Sequence, residues 1–154
     1  MKKIEFENQR FNPDITPFHD LAKSMAKAVG YSATDLKTDK QLAQLLRLRV
    51  AQKNECAYCI ILHAKTAREM GIHEGKVYNI SSWYNSSLYS DKEKVALAYC
   101  DVLNDGISKD FQAYHDKLTS YFSEVEIVEI ATIVINMNLW TRLKLAQGAT
   151  PVLK

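Results

Sequence analysis

Residues 55–63 have the sequence Glu-Cys-Ala-Tyr-Cys-Ile-Ile-Leu-His, which places two cysteines three residues apart and a histidine four residues later. Each residue of an α-helix turns the chain by about 100°, so Cys59 lies about 300° and His63 about 340° around the helix from Cys56. The three side chains therefore share one stripe, and His63 lies one turn beyond Cys59. Two thiols and a base in this register indicate a redox site.

The flanking sequence predicts that this stretch opens a helix. After a break at residues 52–54, the helix should run from about Glu55 to Met70 and end at Gly71. Cys56 would then lie in the first turn, where unpaired N–H groups and the helix dipole favour a thiolate. A thioredoxin-like site would need a strand leading into the motif and a βαβ pattern around it. Neither is visible, which argues against that architecture.

The rest of the chain also reads as helices. Pro17 and Gly30 predict the ends of one helix, and Asp39 marks the start of the next. Ser90 and Ser123 each precede a glutamate by three residues, the pattern of a capping box. Further helices are predicted over residues 73–83, 90–105, 107–121 and 123–146. The last is so apolar that we expect it to be central or to contact another subunit. The fold class is all-α.

Length and composition indicate one globular domain over residues 1–154, with an N-terminal arm over about residues 1–16. The chain is 47% apolar and 25% charged, and its net charge of +2 is spread out, so we expect no nucleic-acid partner. No apolar run approaches the roughly 20 residues of a membrane span. Residues 1–7 lack a signal-peptide core, so we expect no membrane partner and a cytoplasmic location.

Three interpretations of the cysteine pair remain open at this point. In the cytoplasm a C-x-x-C motif is more often catalytic or metal-binding than structural, and the three cysteines form an odd set. Two buried, inert cysteines are the simplest alternative. A zinc site is the second, but His73 and Cys100, the available further ligands, lie outside any second short motif. We therefore favour the redox site and expect no metal.

Residues 45–59, together with His63, resemble the core of the carboxymuconolactone decarboxylase superfamily. Within it, the C-x-x-C-x-x-x-H pattern is similar to the alkylhydroperoxidase AhpD-like branch, since the decarboxylase branch lacks the cysteine pair. The similarity continues through residues 82–83, 91–99 and 136–142, and covers about residues 42–146. The resemblance implies an AhpD-like helical bundle that assembles as a homotrimer or homohexamer. It also implies reduction of a hydroperoxide with electrons from a dithiol such as a lipoyl protein, and no cofactor besides the cysteine pair.

By the pattern of that branch, Cys59 would attack the peroxide, Cys56 would resolve the product into a disulfide, and His63 would accept a proton. Two positions depart from the pattern. Gln44 stands where the peroxidases place a glutamate twelve residues before the first cysteine, and Tyr58 stands where they have a second histidine. We expect both residues to line the site or its proton relay. A non-enzymatic redox-responsive or scaffold protein of the same fold remains an alternative.

Other chemically capable side chains are predicted to lie outside the site. His19, His73 and His115 occur in polar surroundings, which favours exposed positions. Cys100 and the two tryptophans, Trp83 and Trp140, are expected to serve packing.

Overall fold

The computed structural model describes residues 1–33, 35–106 and 110–154. These residues form seven α-helices, two 3-10 helices and one antiparallel pair of strands. The elements are β1 (Ile4–Asn8), α1 (Phe18–Val29), α2 (Lys40–Lys53), α3 (Ala57–Glu69), α4 (Glu74–Asn79), α5 (Asp91–Asp105), α6 (Phe111–Thr119), α7 (Glu124–Gln147) and β2 (Ala149–Leu153), with 3-10 helices at Pro13–Ile15 and Ile80–Asn85. The all-α prediction is confirmed, with a small sheet added.

The helices begin where the capping residues indicate. The hydroxyls of Ser90 and Ser123 each accept the backbone N–H of the glutamate three residues later, and that glutamate's carboxylate accepts the serine N–H in return. Both predicted capping boxes are therefore confirmed. The Asp39 carboxylate caps α2 by accepting the Leu42 N–H.

Two predicted helices have different bounds. The helix expected over residues 73–83 divides into α4 and a 3-10 helix, and the backbone of Ser82 departs from helical geometry with φ −120° and ψ 30°. The helix expected over residues 107–121 is α6, which covers Phe111–Thr119. Residues 107–109 lie outside the described residues.

Helix α2 is the most enclosed element and packs against α3, α5 and α7. Residues 42–51 are all buried, including three polar side chains, Gln44, Arg47 and Arg49. Arg49 pairs with Asp101 of α5 through two hydrogen bonds of 2.7 and 2.8 Å. Gln44 and Arg47 have no carboxylate among their hydrogen-bond partners within the described residues. Gln44 instead lies beside His63 of α3, and Arg47 donates to the Val29 carbonyl of α1.

The sheet joins the two ends of the chain. Strand β1 pairs antiparallel with β2, and Ile4 lies opposite Leu153. Residues 1–16 were expected to form an N-terminal arm of an all-α fold, so the pairing of residues 4–8 with β2 corrects that prediction. The sheet also reaches the cysteine motif, because the Phe6 ring lies 4.6 Å from the Tyr58 ring in an edge-to-face contact.

Helices α1 and α7 pack against each other, and both leave apolar side chains exposed. These are Phe18, Leu21 and Met25 of α1, and Val125, Val128, Ile135 and Leu145 of α7. In the part of the chain that the structure describes, no helix has the length and apolar character needed to cross a membrane.

Candidate active site

The cysteine pair lies where the chain turns from α2 into α3. Glu55 makes this turn with a backbone φ of +54°, a left-handed conformation that is uncommon for residues other than glycine. The prediction that Cys56 lies in the first turn is off by one residue, because Cys56 is the N-cap of α3. Its Sγ accepts the backbone N–H of Cys59 at 3.2 Å. The sulfur therefore still lies at the positive end of the helix dipole.

Cys56 and Cys59 are joined by a disulfide, and their Cα atoms are 5.2 Å apart. Both side chains are almost completely buried, with exposed fractions of 1% and 2%. The third cysteine, Cys100, is a buried free thiol in α5. Burial raises the pKa of the Cys100 thiol, which makes it a poor nucleophile. The expected packing role of Cys100 therefore fits its position.

His63 lies one turn after Cys59 on α3 and is 5% exposed. Burial, and then the positive charge of Arg47, lowers the pKa of His63 to about 3. The imidazole is therefore neutral at physiological pH, with one nitrogen that carries a proton and one that does not.

Gln44 of α2 is completely buried and reaches across to this histidine. Its side-chain nitrogen lies 3.1 Å from Nδ1 of His63 and donates to the His63 backbone carbonyl at 3.0 Å. Its side-chain oxygen accepts a hydrogen bond from Nη1 of Arg47 at 3.0 Å. Gln44 is therefore the structural link between the cysteine helix and Arg47.

These contacts determine which way the Gln44 amide points. Because the arginine guanidinium has donors and no acceptor, the atom of Gln44 that faces Arg47 must be the amide oxygen. The amide nitrogen must then face His63, and Nδ1 of the neutral ring must accept. The proton of His63 is therefore on Nε2, which makes this nitrogen a donor.

Arg47 is a buried cation without a carboxylate partner among the described residues. Its other nitrogens donate to the Val29 carbonyl at 2.9 and 3.3 Å. Burial lowers the pKa of Arg47 to about 10, so the guanidinium stays charged at neutral pH. Because a charge in a poorly solvated region acts over a longer distance than one in water, Arg47 favours negative charge on nearby groups.

A cavity of about 370 Å³ opens beside Cys59 and His63. It lies between one face of α1, the first turns of α3, and one face of α7. Tyr58, one of the two residues that depart from the peroxidase pattern, lies in its wall, and the Tyr31 ring lies 5.8 Å from the His63 ring. Cys59 contributes to the cavity wall and Cys56 does not. The site thus has one thiol in the cavity wall and a second thiol behind it.

Three cavity residues were not predicted from the sequence. His19 was expected on the surface, but its ring lies 5.6 Å from the Trp140 ring and its Nδ1 lies 2.6 Å from Asp14. Trp140 was expected only to pack, yet it lines the cavity together with Lys144. No local pattern could have indicated these residues, because α1 and α7 are far apart in sequence and meet only in the fold.

The residues predicted for the site from the sequence lie close to one another. Cys56, Cys59, His63, Gln44 and Tyr58 all lie at or directly behind this cavity. Across the described ranges, no group of three or more His, Cys, Asp or Glu side chains is arranged to hold a metal ion.

Comparisons with known proteins show the family of this chain. The sequence profile of the Carboxymuconolactone decarboxylase family matches residues 19–101. The chain is 33% identical over 107 residues to the uncharacterized protein YdfG of Bacillus subtilis, covering 68% of this chain and 72% of YdfG.

Solved structures show the same fold. One is ATU0492 of Agrobacterium tumefaciens, a protein of unknown function described as a candidate antioxidant defence protein AhpD. It is similar with a TM-score of 0.80 and 23% identity, over 92% of this chain and 96% of that one. The debrominase Bmp8, in complex with 2,3,4-tribromopyrrole, is similar with a TM-score of 0.74 and 20% identity, over 90% of this chain and 71% of that one.

Proposed function

Because this chain belongs to the carboxymuconolactone decarboxylase family and has an AhpD-like fold, we propose that it is a thiol-dependent peroxidase. Its substrate is an organic hydroperoxide, and its electrons come from a dithiol such as a lipoyl protein. The observation that carries the proposal is the Cys56–Cys59 disulfide beside a cavity that only Cys59 of the two lines. Such a pair can take up and release two electrons without any other cofactor.

The positions of the two sulfurs support different roles for them. Cys59 lies in the cavity wall, so a substrate in the cavity meets this sulfur first. Cys56 is the N-cap of α3, does not line the cavity, and is bonded to Cys59. We therefore assign the attack on the peroxide to Cys59 and the resolution to Cys56.

The reaction has three steps. The Cys59 thiolate attacks one peroxide oxygen, the O–O bond breaks, and the alkoxide takes a proton and leaves as an alcohol. Cys59 is then a sulfenic acid, and the Cys56 thiol attacks its sulfur, forming the disulfide and releasing water. The external dithiol reduces this disulfide by two thiol–disulfide exchanges and becomes a disulfide itself.

The hydrogen bonds of His63 suggest a role that differs from the one expected from sequence. The family resemblance implied a proton acceptor, but Nδ1 already accepts from Gln44 and Nε2 carries the ring proton. We propose that His63 donates from Nε2 and stabilises negative charge that develops in the cavity. Arg47 and the α3 N-terminus act in the same direction, because both favour a thiolate over a thiol.

The aromatic cavity wall favours one second candidate. Tyr31, Tyr58 and Trp140 line the cavity, which suits a flat aromatic substrate. The same two thiols could remove bromine from such a ring, since an aryl bromide and two thiols give the arene, hydrogen bromide and a disulfide. This reaction would use the same cysteine pair, so only the substrate separates the two candidates.

We further propose that the protein works as a homo-oligomer in the cytoplasm. The exposed apolar side chains on α1 and α7 support self-association, because large apolar patches on a surface usually mark a contact. A cytoplasmic location would supply the reducing dithiols that the cycle needs.

A thiol titration tests the peroxidase proposal. The reduced chain has three cysteines, and we expect one equivalent of cumene hydroperoxide to remove two titratable thiols and leave the buried Cys100. A parallel titration with an aryl bromide tests the second candidate. Loss of no thiols with either compound would reject both reactions and favour a non-enzymatic scaffold protein.

A further inference from the structure

The cavity beside Cys59 is lined by positive and not by negative side chains. Lys23 of α1 and Lys144 of α7 both contribute to its wall. Among the described residues that line it, none is an aspartate or a glutamate. Asp14 lies near, but its carboxylate is bonded to Nδ1 of His19 at 2.6 Å. The cavity is therefore better suited to an anion than to a cation.

Lys144 is the half-buried member of this pair. Its Nζ lies 4.7 Å from the centre of the Tyr58 ring and 5.7 Å from the centre of the Trp140 ring. No carboxylate of the described chain lies within ion-pair distance of it. Burial lowers the pKa of Lys144, and the charge of Asp14 acts in the opposite direction. Two aromatic faces thus hold an ammonium group whose charge is not neutralised by a direct ion pair.

Two neighbouring polar atoms also lack a partner. The side-chain nitrogen of Trp140 and the side-chain oxygen of Asn136 are buried without a hydrogen bond within the described part of the chain. Asn136 itself is only 3% exposed. Buried polar atoms are normally hydrogen-bonded, so an unpartnered donor and an unpartnered acceptor in a cavity wall indicate groups that meet a ligand.

These three residues form one row. Asn136, Trp140 and Lys144 are spaced by four residues on α7, so their side chains lie along the same face of the helix, over about 12 Å. The row lines the same cavity as Cys59 and His63. A ligand along this row would meet an acceptor, a donor and a cation in succession.

We propose that this row is a binding subsite for an organic anion with an apolar body and a carboxylate, which Lys144 and the Trp140 N–H hold. The inference rests on the proposed peroxidase function in one respect: the anion acting as substrate is a hydroperoxide. A hydroperoxyl group also supplies an O–H donor, which the Asn136 oxygen can accept. A hydroperoxide that carries a carboxylate therefore fits the row, with its carboxylate at Lys144 and its hydroperoxyl group at Asn136.

Binding of unreactive ligands tests the subsite without any turnover. The probes are 4-isopropylbenzoate and its neutral counterpart 4-isopropylbenzamide, added to the oxidised protein. We expect the benzoate to bind at least about tenfold more tightly and to shift the indole N–H signal of Trp140, identified with Trp140→Phe, more than that of Trp83. Lys144→Met should abolish the preference for the anion and Lys144→Arg should retain it.

Lys65→Met is the matched control, because Lys65 is an exposed lysine of α3 outside the cavity. It should leave the preference for the anion unchanged. Equal affinity for the two probes, a preference that survives Lys144→Met, or a shift confined to Trp83 would overturn the subsite.

A kinetic comparison separates this inference from the proposed function. The substrates are cumene hydroperoxide and its para-carboxylate, and the readout is the ratio of their kcat/KM values. We expect a ratio of about ten in favour of the carboxylate, falling to about one in Lys144→Met. Binding of the benzoate without turnover of either hydroperoxide would keep the anion subsite and reject the peroxidase. Turnover of both hydroperoxides with a ratio of one in the unsubstituted protein would reject the subsite and keep the peroxidase.

Discussion

The side-chain nitrogen of Gln44 lies 3.1 Å from Nδ1 of His63, and this contact determines which ring nitrogen carries the proton. Arg47 fixes the direction of the amide by donating to its oxygen at 3.0 Å. A glutamate at position 44 would accept from both neighbours and reverse the pattern. The identity of this one side chain therefore decides whether Nε2 of His63 can donate or accept.

Gln44→Glu should move the ring proton of His63. The new carboxylate would pair with Arg47, accept from Nδ1 of His63, and raise the pKa of the histidine above its value in the unsubstituted protein. Nitrogen-15 NMR of the histidine ring should show a protonated Nε2 in the unsubstituted protein and a protonated Nδ1 in the variant. With Nε2 no longer able to donate, we expect kcat/KM for the hydroperoxide to fall by about tenfold at neutral pH.

Gln41→Glu is the matched control for this substitution. Gln41 lies on the same helix, but its side-chain nitrogen donates to the Met70 carbonyl at 3.2 Å, away from the site. It should leave the His63 ring signals as they are. Identical ring signals in the unsubstituted protein and Gln44→Glu would show that residue 44 does not determine the tautomer.

The two sulfurs should respond differently to single substitutions. In Cys56→Ser, one equivalent of hydroperoxide should leave a sulfenic acid on Cys59, because the resolving thiol is gone; a dimedone label read by mass spectrometry would locate it. Cys59→Ser should give no label. A label on Cys56 in the second variant would reverse the assigned roles.

Cys100→Ser serves as the control for both variants. Cys100 is a buried free thiol in α5 and does not line the cavity. Its substitution should keep full turnover.

The stability of the fold should depend on the protonation of His63. Burial and the charge of Arg47 lower its pKa to about 3, whereas an unfolded histidine titrates at about 6.5. Between these values the unfolded chain binds one more proton than the folded chain, so stability rises with pH. The stabilisation is complete above about pH 6.5 and is lost as the pH falls toward 3, by up to about 1.4 kcal/mol per pH unit.

Urea unfolding at pH 6.5, 5.5 and 4.5 measures this effect. Acidic residues titrate in the same range, so the comparison is with His63→Asn, which keeps an acceptor for Gln44 and has no imidazole. As the pH is lowered, the free energy of unfolding should fall more steeply in the unsubstituted protein than in His63→Asn. Parallel slopes would mean that His63 is not held neutral by its surroundings.

How far the site could be predicted from sequence depends on how local each contact is. Cys56, Cys59 and His63 lie within eight residues, so helical periodicity was enough to place them together, and Gln44 could be reached through the family pattern. Local periodicity carries no information on whether an amide nitrogen or oxygen faces the histidine. That depends on Arg47, whose part in the site follows from its hydrogen bonds to Gln44 and to the Val29 carbonyl in the folded chain.

Prediction of the fold from sequence is likewise limited to contacts between residues close together in the chain. Capping serines marked the starts of α5 and α7 correctly because a cap is a contact over three residues. The pairing of β1 with β2 joins residues 4–8 to residues 149–153, and the cavity joins α1 to α7. Contacts over such separations leave no periodic signal, so Lys144 and Trp140 could not be assigned to the site beforehand.

Self-association can be tested through the exposed apolar side chains of α1 and α7. We expect light scattering to give a mass that is a multiple of 17.6 kDa, three or six chains. Leu21→Glu and Ile135→Glu should each lower that mass, because a charge buried in an apolar contact is strongly unfavourable. Lys92→Glu, at an exposed position on α5, is the control and should leave it unchanged. A monomeric mass for the unsubstituted protein would contradict the proposed assembly.

The most direct test of the proposed function is turnover of cumene hydroperoxide with dihydrolipoamide as the only electron donor. The unsubstituted protein should reduce many equivalents of hydroperoxide per chain, and Cys59→Ser should retain less than about 1% of that rate because the attacking sulfur is absent. A Cys59→Ser protein that reduces the hydroperoxide at the full rate would show that the cysteine pair does not carry the reaction.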